Sequence, residues 1–304
     1  MPAARTVVVG TRGSRLALAQ TGWVVDRLRS LAPGDGAVAW ETRVITTSGD
    51  RTTGPLTGDG AFVKEIQRAL AAGEIDLAVH SLKDLPTDPV EGLVVAAVPE
   101  RADPHDALVG RRLDALGPGA RVGTGSPRRS AQLLHARPGT VVVPIRGNVP
   151  TRVEAARNGT LDAVVLAAAG LGRLGLEPDD ILPAELMLPA PGQGALALET
   201  RADDEHLRAL LAGLHHEPSA AAVTAERALL RRLGGGCLLP VGALAVPQPD
   251  ATLVLTACAT SVGGDEQVRA SARAPLSGAA GLGDEVGADL AAQGALELLG
   301  AGGG

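Results

Sequence analysis

The 304-residue sequence contains no tyrosine, one phenylalanine (Phe62) and two tryptophans (Trp23 and Trp40). Proteins that bind single-stranded nucleic acid commonly stack bases on aromatic side chains, and this chain offers almost no such platform. Its net charge of −6 also repels polyanions. We therefore expect no nucleic acid among its partners, and hydrophobic cores built from valine, leucine, isoleucine and alanine.

Cysteine is equally scarce, with Cys237 and Cys258 as the only two in the chain. They lie far apart and no Cys-x-x-Cys or Cys-x-x-His pair occurs, so the sequence predicts neither a disulfide framework nor a zinc site. Long apolar runs are missing too, and the short run near the N-terminus is below the length of a signal peptide or a membrane span. We expect a cytoplasmic protein that binds no metal and no membrane.

Short valine-rich runs alternate with helical patterns along most of the chain, which is typical of α/β units. Two motifs recur within this alternation. The segment Val9–Thr11 recurs as Val122–Thr124, and Gly73–Val79 is echoed by Gly159–Val165. Such repeats predict an internal duplication into two α/β lobes with largely parallel strands. The first lobe carries an additional glycine-rich stretch, Ser48–Gly60, which we interpret as a mobile lid.

The pattern changes after Gly194. The helical stretch Val223–Leu233 ends at three glycines directly before Cys237, and the rest of the chain predicts a small antiparallel sheet with a helix. The expected fold is therefore two α/β lobes plus a small α+β C-terminal domain. We place domain 1 at residues 1–98 and 195–214, domain 2 at residues 102–190 and domain 3 at residues 218–304.

Arginines and hydroxyl residues cluster where predicted strands end and helices begin. Ser14 and Ser126 are suited to cap these helices, and Pro127 fits a first helical position. Helix N-termini and arginines both bind carboxylates, and ligands of open α/β sheets bind at the carboxyl ends of strands. The alternative is that the arginines are surface residues paired with aspartate or glutamate. The arginines concerned are Arg12, Arg128, Arg129, Arg146, Arg152 and Arg173.

Two further segments carry reactive side chains. Lys83 and Asp84 directly follow the predicted strand Ile75–Val79, where an aspartate among cations stays ionised and can stabilise a cation or move a proton. By position alone, an ordinary surface Lys–Asp pair is the favoured interpretation. Glycines before Cys237 free its side chain to project, although a lone cysteine is more often a buried structural residue. Cys258, in an apolar strand, fits that structural role.

Taken together, these segments resemble the hydroxymethylbilane synthase (porphobilinogen deaminase) family. They run in the family's order over roughly residues 5–245, and the combination is specific although each piece alone is not. The matching stretches are Gly10-Thr11-Arg12-Gly13-Ser14, Phe62-Val63-Lys64-Glu65, Ala78 to Pro86, Gly123 to Arg129, Arg146-Gly147-Asn148-Val149, Ala169-Gly170-Leu171, Pro191 to Ala195, His215-His216-Glu217, Val223 to Arg227 and Gly235-Gly236-Cys237.

The resemblance implies two lobes like those of periplasmic binding proteins and a third domain carrying a covalent dipyrromethane cofactor on Cys237. It implies that porphobilinogen loses ammonia to give an azafulvene, which the terminal pyrrole of the growing oligopyrrole attacks. Four rounds extend the primer before water releases the tetrapyrrole. Asp84 is then the catalytic carboxylate, Phe62 belongs to the lid, and cofactor and substrate are bound by Arg12, Ser14, Lys83, Thr124, Ser126, Arg128, Arg129, Arg146, Gly147, Arg152, Arg173 and Gln193.

Three positions depart from the family pattern: Asp59 in the lid, Gly125 and Gly234. They put a lid contact with carboxylates and one hydroxyl donor in doubt, but none touches Cys237 or Asp84. Two other functions stay open from the residues alone. A small-anion solute-binding protein would explain the cleft without catalysis, and a thiol acyltransferase would need a base that the sequence does not identify. A monomer is the default expectation.

Overall fold

The computed structural model describes residues 5–31, 38–47, 63–236 and 239–300. The chain divides into two compact units. The first unit comprises Met1–Arg101 and Ala195–Ala220, and the second comprises Ala102–Gly194 and Ala221–Gly304. The second unit therefore contains both the second lobe and the C-terminal sheet, and the division into three domains stays a prediction.

The strands of the described ranges are short and mostly valine-, leucine- or alanine-rich. In chain order they are β1 (Thr6–Thr11), β2 (Ala39–Val44), β3 (Leu77–Ser81), β4 (Leu93–Ala97), β5 (Asp106–Gly110), β6 (Arg121–Gly123), β7 (Val141–Val143), β8 (Ala163–Ala167), β9 (Asp180–Ile181), β10 (Leu196–Arg201), β11 (Val241–Pro247), β12 (Thr252–Thr260) and β13 (Gln267–Pro275).

The helices follow the predicted alternation with the strands. They are α1 (Arg15–Leu31), α2 (Lys64–Ala71), α3 (Pro127–Ala136), α4 (Val149–Arg157), α5 (Ala168–Gly172), α6 (Glu205–Leu211), α7 (Glu217–Arg232), α8 (Ala279–Ala292) and α9 (Ala295–Gly300). The single helix predicted at the C-terminus is two helices, because Gly294 adopts a φ of 90° between them.

The two large sheets share one topology. The first unit has the strand order β2-β1-β3-β10-β4 and the second unit has β7-β6-β8-β5-β9. In each sheet three strands pair in parallel, and β10 or β5 runs antiparallel beside them. The predicted duplication and the two α/β lobes are confirmed. The strands are also largely parallel as predicted, since β10 and β5 each run antiparallel to the other four strands of their sheets; β5 and β9 were not predicted.

The two units also share an equivalent hydrogen bond between a strand N–H and an aspartate. In the first unit, the Val8 N–H donates to Asp76 Oδ2 at 3.0 Å, and in the second the Arg121 N–H donates to Asp162 Oδ2 at 2.8 Å. Gly10 of β1 and Gly123 of β6 each lie against packed side chains. A Cβ on Gly10 would lie 2.3 Å from Ile75 Cδ1, so a larger residue would displace the side chain packed there.

The C-terminal part forms an antiparallel sheet in the order β11-β12-β13. Alternate residues of β12, including Leu253 and Leu255, pack into a core with Leu282 and Val286 of α8. The opposite face of β12 places Cys258 against Leu188, where it is fully buried. The predicted small α+β domain architecture is thereby confirmed. Within the described residues, no helix has both the length and the apolar character needed to cross a membrane.

Candidate functional site

The first turn of α3 places two adjacent arginines behind strand β6. Ser126 precedes this helix, and its Oγ accepts the Arg129 N–H at 3.4 Å, while Pro127 occupies the first turn. The Ser126 N–H in turn donates to Thr124 Oγ1 at 3.2 Å. The predicted helix cap is therefore confirmed. The Ser126 and Thr124 hydroxyl oxygens accept backbone N–H groups here, which fixes the entry into α3.

Both arginines are buried against one carboxylate, Asp106, at the start of β5. Arg128 is 4% exposed, Arg129 is 7% exposed and Asp106 is fully buried. Arg128 Nη1 donates to Asp106 Oδ2 at 2.6 Å, and Arg129 Nε donates to Oδ1 at 2.9 Å. Burial alone would raise the pKa of Asp106, but the two guanidinium groups outweigh it and hold the pKa well below the usual range. This carboxylate therefore stays ionised at neutral pH.

Gln193 completes this cluster. Its Nε2 donates to Asp106 Oδ1 at 2.9 Å and to the Pro104 carbonyl at 2.8 Å, and its Oε1 accepts Arg129 Nη2 at 3.4 Å. The side chain is fully buried. These contacts give Gln193 a supporting role behind the arginines, while the predicted contact with a ligand stays a prediction.

More cations lie at the neighbouring strand ends of the same unit. Asn148 caps α4 by accepting the Thr151 N–H at 3.0 Å, and Arg152 Nε donates to the Gly147 carbonyl at 2.8 Å. Burial, together with the charges of Arg129 and Arg146, lowers the pKa of Arg152. These arginines are therefore close enough to repel one another, which favours binding of an anion.

Arg173 lies beyond α5, also in the second unit. Its Nη2 donates to the Gly194 carbonyl at 2.7 Å. Burial lowers its pKa to about 10, so the guanidinium remains charged at neutral pH but is poorly hydrated. Arg146, by contrast, is exposed, and no residue of the described ranges pairs with it.

The charges of this cluster do not balance. Asp106 is one carboxylate facing two buried guanidinium groups, and Arg146 and Arg152 add further positive charge. Among the described residues, buried Arg128 Nε has no hydrogen-bond partner. A buried donor without a partner is costly, so this guanidinium has the capacity to donate one more hydrogen bond. The cluster fits a ligand that carries several carboxylates, as dipyrromethane with its acetate and propionate groups does.

Asp106 was not among the residues predicted from the sequence. Its counter-ions Arg128 and Arg129 follow 22 and 23 residues later in the chain, beyond any local pattern. One local indication was available, because Asp106 opens the apolar run Ala107–Val109 of β5. An acidic residue at the edge of a buried run requires a partner, and the adjacent arginines were candidates for that role.

In the first unit, Asp84 directly follows β3 in a single 3₁₀ turn, Leu82–Asp84. Buried Leu82 anchors this turn, and its N–H donates to the Ala195 carbonyl at 3.0 Å. Asp84 is half-buried, and no side chain or N–H of the described residues bonds to its carboxylate. The backbone of the turn fixes the position of the Asp84 carboxylate, which forms no ion pair with the described residues.

The remaining predicted residues of the first unit lie near strand ends. Arg12 follows β1, and Ser14 Oγ accepts the Ala17 N–H at 3.2 Å, which caps α1. Lys83 lies beside Asp84 in the 3₁₀ turn and is half-buried. Below the turn, His80 Nε2 lies 3.1 Å from Glu199 Oε2, a buried pair that the sequence analysis did not single out.

Cys237, Phe62 and Asp59 lie outside the described residues. The approach to Cys237 is described as far as Gly236. Three consecutive glycines follow α7, and Gly234, Gly235 and Gly236 have φ values of 98°, 69° and 102°. Residues with a Cβ rarely adopt such angles, so the backbone path toward Cys237 depends on glycine.

Fold and site together define a two-lobed α/β protein whose second unit contains a cluster of arginines around the buried Asp106. Residues 7–209 match the family model "Porphobilinogen deaminase, dipyromethane cofactor binding domain". Residues 220–292 match "Porphobilinogen deaminase, C-terminal domain". The chain belongs to the porphobilinogen deaminase family, as the motifs predict.

Curated relatives agree over nearly the whole chain. The porphobilinogen deaminase of Thermus thermophilus is 51% identical over 300 residues, covering 97% of this chain and 98% of the relative. That of Desulforudis audaxviator is 48% identical and covers 97% of both chains. Among solved structures, a TRAP periplasmic solute binding protein from Desulfovibrio salexigens is 15% identical with a TM-score of 0.42, covering 71% of this chain and 74% of that one.

Proposed function

We propose that this chain condenses four porphobilinogen molecules stepwise, with loss of ammonia, onto a covalent dipyrromethane primer. It then releases the linear tetrapyrrole hydroxymethylbilane. The observation that supports this most directly is the arginine cluster around Asp106, which has more positive than negative charge and a buried donor without a partner among the described residues. Family membership supplies the chemistry, and the cluster supplies a matching site for carboxylates.

In this proposal Cys237 carries the primer through a thioether, one per chain. The bound dipyrromethane supplies a pyrrole carbon at which the chain is extended. Acetate and propionate groups are held by Arg128, Arg129, Arg146, Arg152 and Arg173. Because guanidinium groups match carboxylates bidentately, several of them fix the orientation of a flexible polycarboxylate better than a single one would.

Asp84 is proposed as the catalytic carboxylate. Its backbone is fixed by the 3₁₀ turn after β3, and the described residues leave its oxygens available. It can accept the pyrrole N–H of porphobilinogen and offset the positive charge that develops on that ring when ammonia departs. Lys83 and Arg12 of the same unit bind substrate carboxylates in this proposal.

Several finer assignments remain part of the proposal. Ser14, Ser126, Thr124 and Gly147 contact carboxylates through the helix N-termini that they shape. The three hydroxyl oxygens already accept backbone N–H groups there, and the Gly147 carbonyl accepts Arg152 Nε. Phe62 belongs to a lid. The enzyme acts as a monomer in the cytoplasm, with porphobilinogen and the growing oligopyrrole as its partners.

The intact mass of the purified protein tests this function. We expect a mass above that of the sequence by two condensed porphobilinogen units, with the increment on the peptide that contains Cys237. Cys237→Ser should remove both the increment and the activity. Cys258→Ser is the matched control: burial raises the pKa of that thiol, so it is unreactive and its loss should change neither. A solute-binding protein would show the unmodified mass, and active unmodified protein would contradict the proposal.

A further inference from the structure

The two lobes place different residues at one equivalent position of their sheets. Strands β3 and β8 end at Ser81 and Ala167, respectively. Leu196 of β10 lies opposite Ser81, and Asp106 of β5 lies opposite Ala167. Asp106 therefore occupies in the second lobe the register position that Leu196 occupies in the first. Both are buried.

The helices that follow β1 and β6 also carry apolar residues in the first lobe where the second lobe has charged ones. Ser14 and Ser126 cap α1 and α3 by accepting the N–H three residues later, from Ala17 and Arg129. The pair Leu16 and Ala17 thus matches Arg128 and Arg129. One lobe carries an apolar trio where the other carries two cations and an anion.

In the first lobe the same strand order forms without an ionic triad at these positions, where Leu16 and Ala17 are half-buried. Buried ion clusters are often no more stabilising than apolar residues of similar volume, because desolvation offsets their attraction. The first lobe folds with Leu16, Ala17 and Leu196 at these positions. The triad of the second lobe therefore calls for a reason other than the fold.

We propose that Asp106 is a positioning residue that sets the geometry of the arginine pair for carboxylate binding. The inference rests on the proposed function and extends it to a residue that the family motifs did not include. Each oxygen of Asp106 holds a different guanidinium: Oδ2 lies 2.6 Å from Arg128 Nη1, and Oδ1 lies 2.8 Å from Arg129 Nη2. One fully buried carboxylate thereby fixes the separation of two like charges that would otherwise repel.

Two roles for Asp106 predict opposite effects of Asp106→Asn. If only the net charge of the cluster mattered, removing a negative charge would strengthen the binding of a polycarboxylate. If Asp106 positions the arginines, removing the charge releases them, and binding weakens although the cluster becomes more positive. The direction of the change therefore distinguishes attraction from positioning.

The experiment measures the fraction of purified protein that carries the two-unit mass increment. For Asp106→Asn we expect this fraction to fall to about a tenth or less of the wild-type value. Asp76→Asn is the matched control, since Asp76 pairs with Arg201 at 2.8 Å in the first unit, outside the cluster. It should lower thermal stability without lowering the loaded fraction. Equal or higher loading of Asp106→Asn would overturn the proposal.

A second variant gives the second lobe the three residues that the first lobe has at the equivalent positions: Asp106→Leu, Arg128→Leu and Arg129→Ala together. In a Cys237→Ser background, where no primer attaches, we expect it to fold with a melting temperature within a few degrees of its parent. Failure to fold would show that the triad is structural and would overturn the proposal. If wild-type protein itself carried no increment, the proposed function would fail, while this folding comparison would still decide whether the scaffold needs the triad.

Discussion

Asp84 and Asp106 are carboxylates close to strand ends, yet their surroundings differ. Asp106 is fully buried between two arginines and Gln193, which hold its charge and its geometry. Asp84 is half-buried and has no partner among the described residues. A carboxylate that protein cations already neutralise cannot offset a new positive charge, whereas an unpaired one can. Asp84 is therefore the one suited to chemistry.

Asp84→Asn tests this role at the residue scale. The amide keeps the shape and an acceptor oxygen but loses the charge and the ability to take a proton. Acid–base assistance and electrostatic stabilisation are each commonly worth about 10²-fold or more, so we expect kcat to fall at least about 10²-fold with little change in KM. Single-turnover kinetics on cofactor-loaded protein measures this.

The control for this variant is Asp88→Asn, which lies on the exposed segment just after the turn and should leave the rate unchanged. Cofactor loading and melting temperature should be normal in both variants. A rate for Asp84→Asn within about threefold of wild type would remove Asp84 from the mechanism.

At the scale of elements, local patterns were sufficient for most helices and strands. Helix α3 begins as predicted, with Ser126 as its cap and Pro127 in its first turn, because capping residues and proline act within a few residues. Strand β5 was missed because it has five residues and pairs with β8 and β9, which lie far along the chain. The position of Asp84 directly after β3 was predictable from its motif, whereas the ion pairs of Asp106 depend on that distant pairing.

The glycines after α7 join this helix to Cys237, the proposed attachment residue of the cofactor. Gly235 has a φ of 69°, where an alanine is strained by about 1–2 kcal/mol. We expect Gly235→Ala to redirect the backbone before Cys237 and to lower the loaded fraction measured by intact mass several-fold. Gly294→Ala is the control, because Gly294 also has a positive φ, of 90°, after a helix. It should cost similar stability but leave loading unchanged; equal loading of both variants would show that the path to Cys237 tolerates the strain.

At the scale of the whole molecule, the chain contains two copies of one α/β unit, and the copies carry different side chains at their strand ends. The sheets share strand order, and Asp76 and Asp162 make equivalent backbone contacts. These shared features lie within the sheets and their connections, where packing dictates them. The differences, including Asp84, Asp106 and the arginines, lie at strand ends and helix starts, where ligands of such sheets bind. The two copies therefore share their sheet topology and differ in the charged side chains at their strand ends.

The ionic triad also gives the molecule a specific acid response. Because the pKa of Asp106 is held below its ordinary value of about 3.9, the unfolded chain binds more protons than the folded protein as the pH falls below that value. The stability contributed by the ionised carboxylate is therefore fully present above about pH 5 and is lost progressively as the pH falls toward the folded pKa. In a Cys237→Ser background, we expect the melting temperature of the parent to exceed that of Asp106→Asn by several degrees at pH 7, with the gap narrowing progressively as the pH falls below 4. Asp250→Asn is the control, since Thr252 and Arg273 bond to Asp250 on the exposed surface, where solvent screens the pair and the gap should be small at every pH. A gap for Asp106→Asn that stays constant from pH 7 to pH 3 would show that the charge of Asp106 does not contribute to stability.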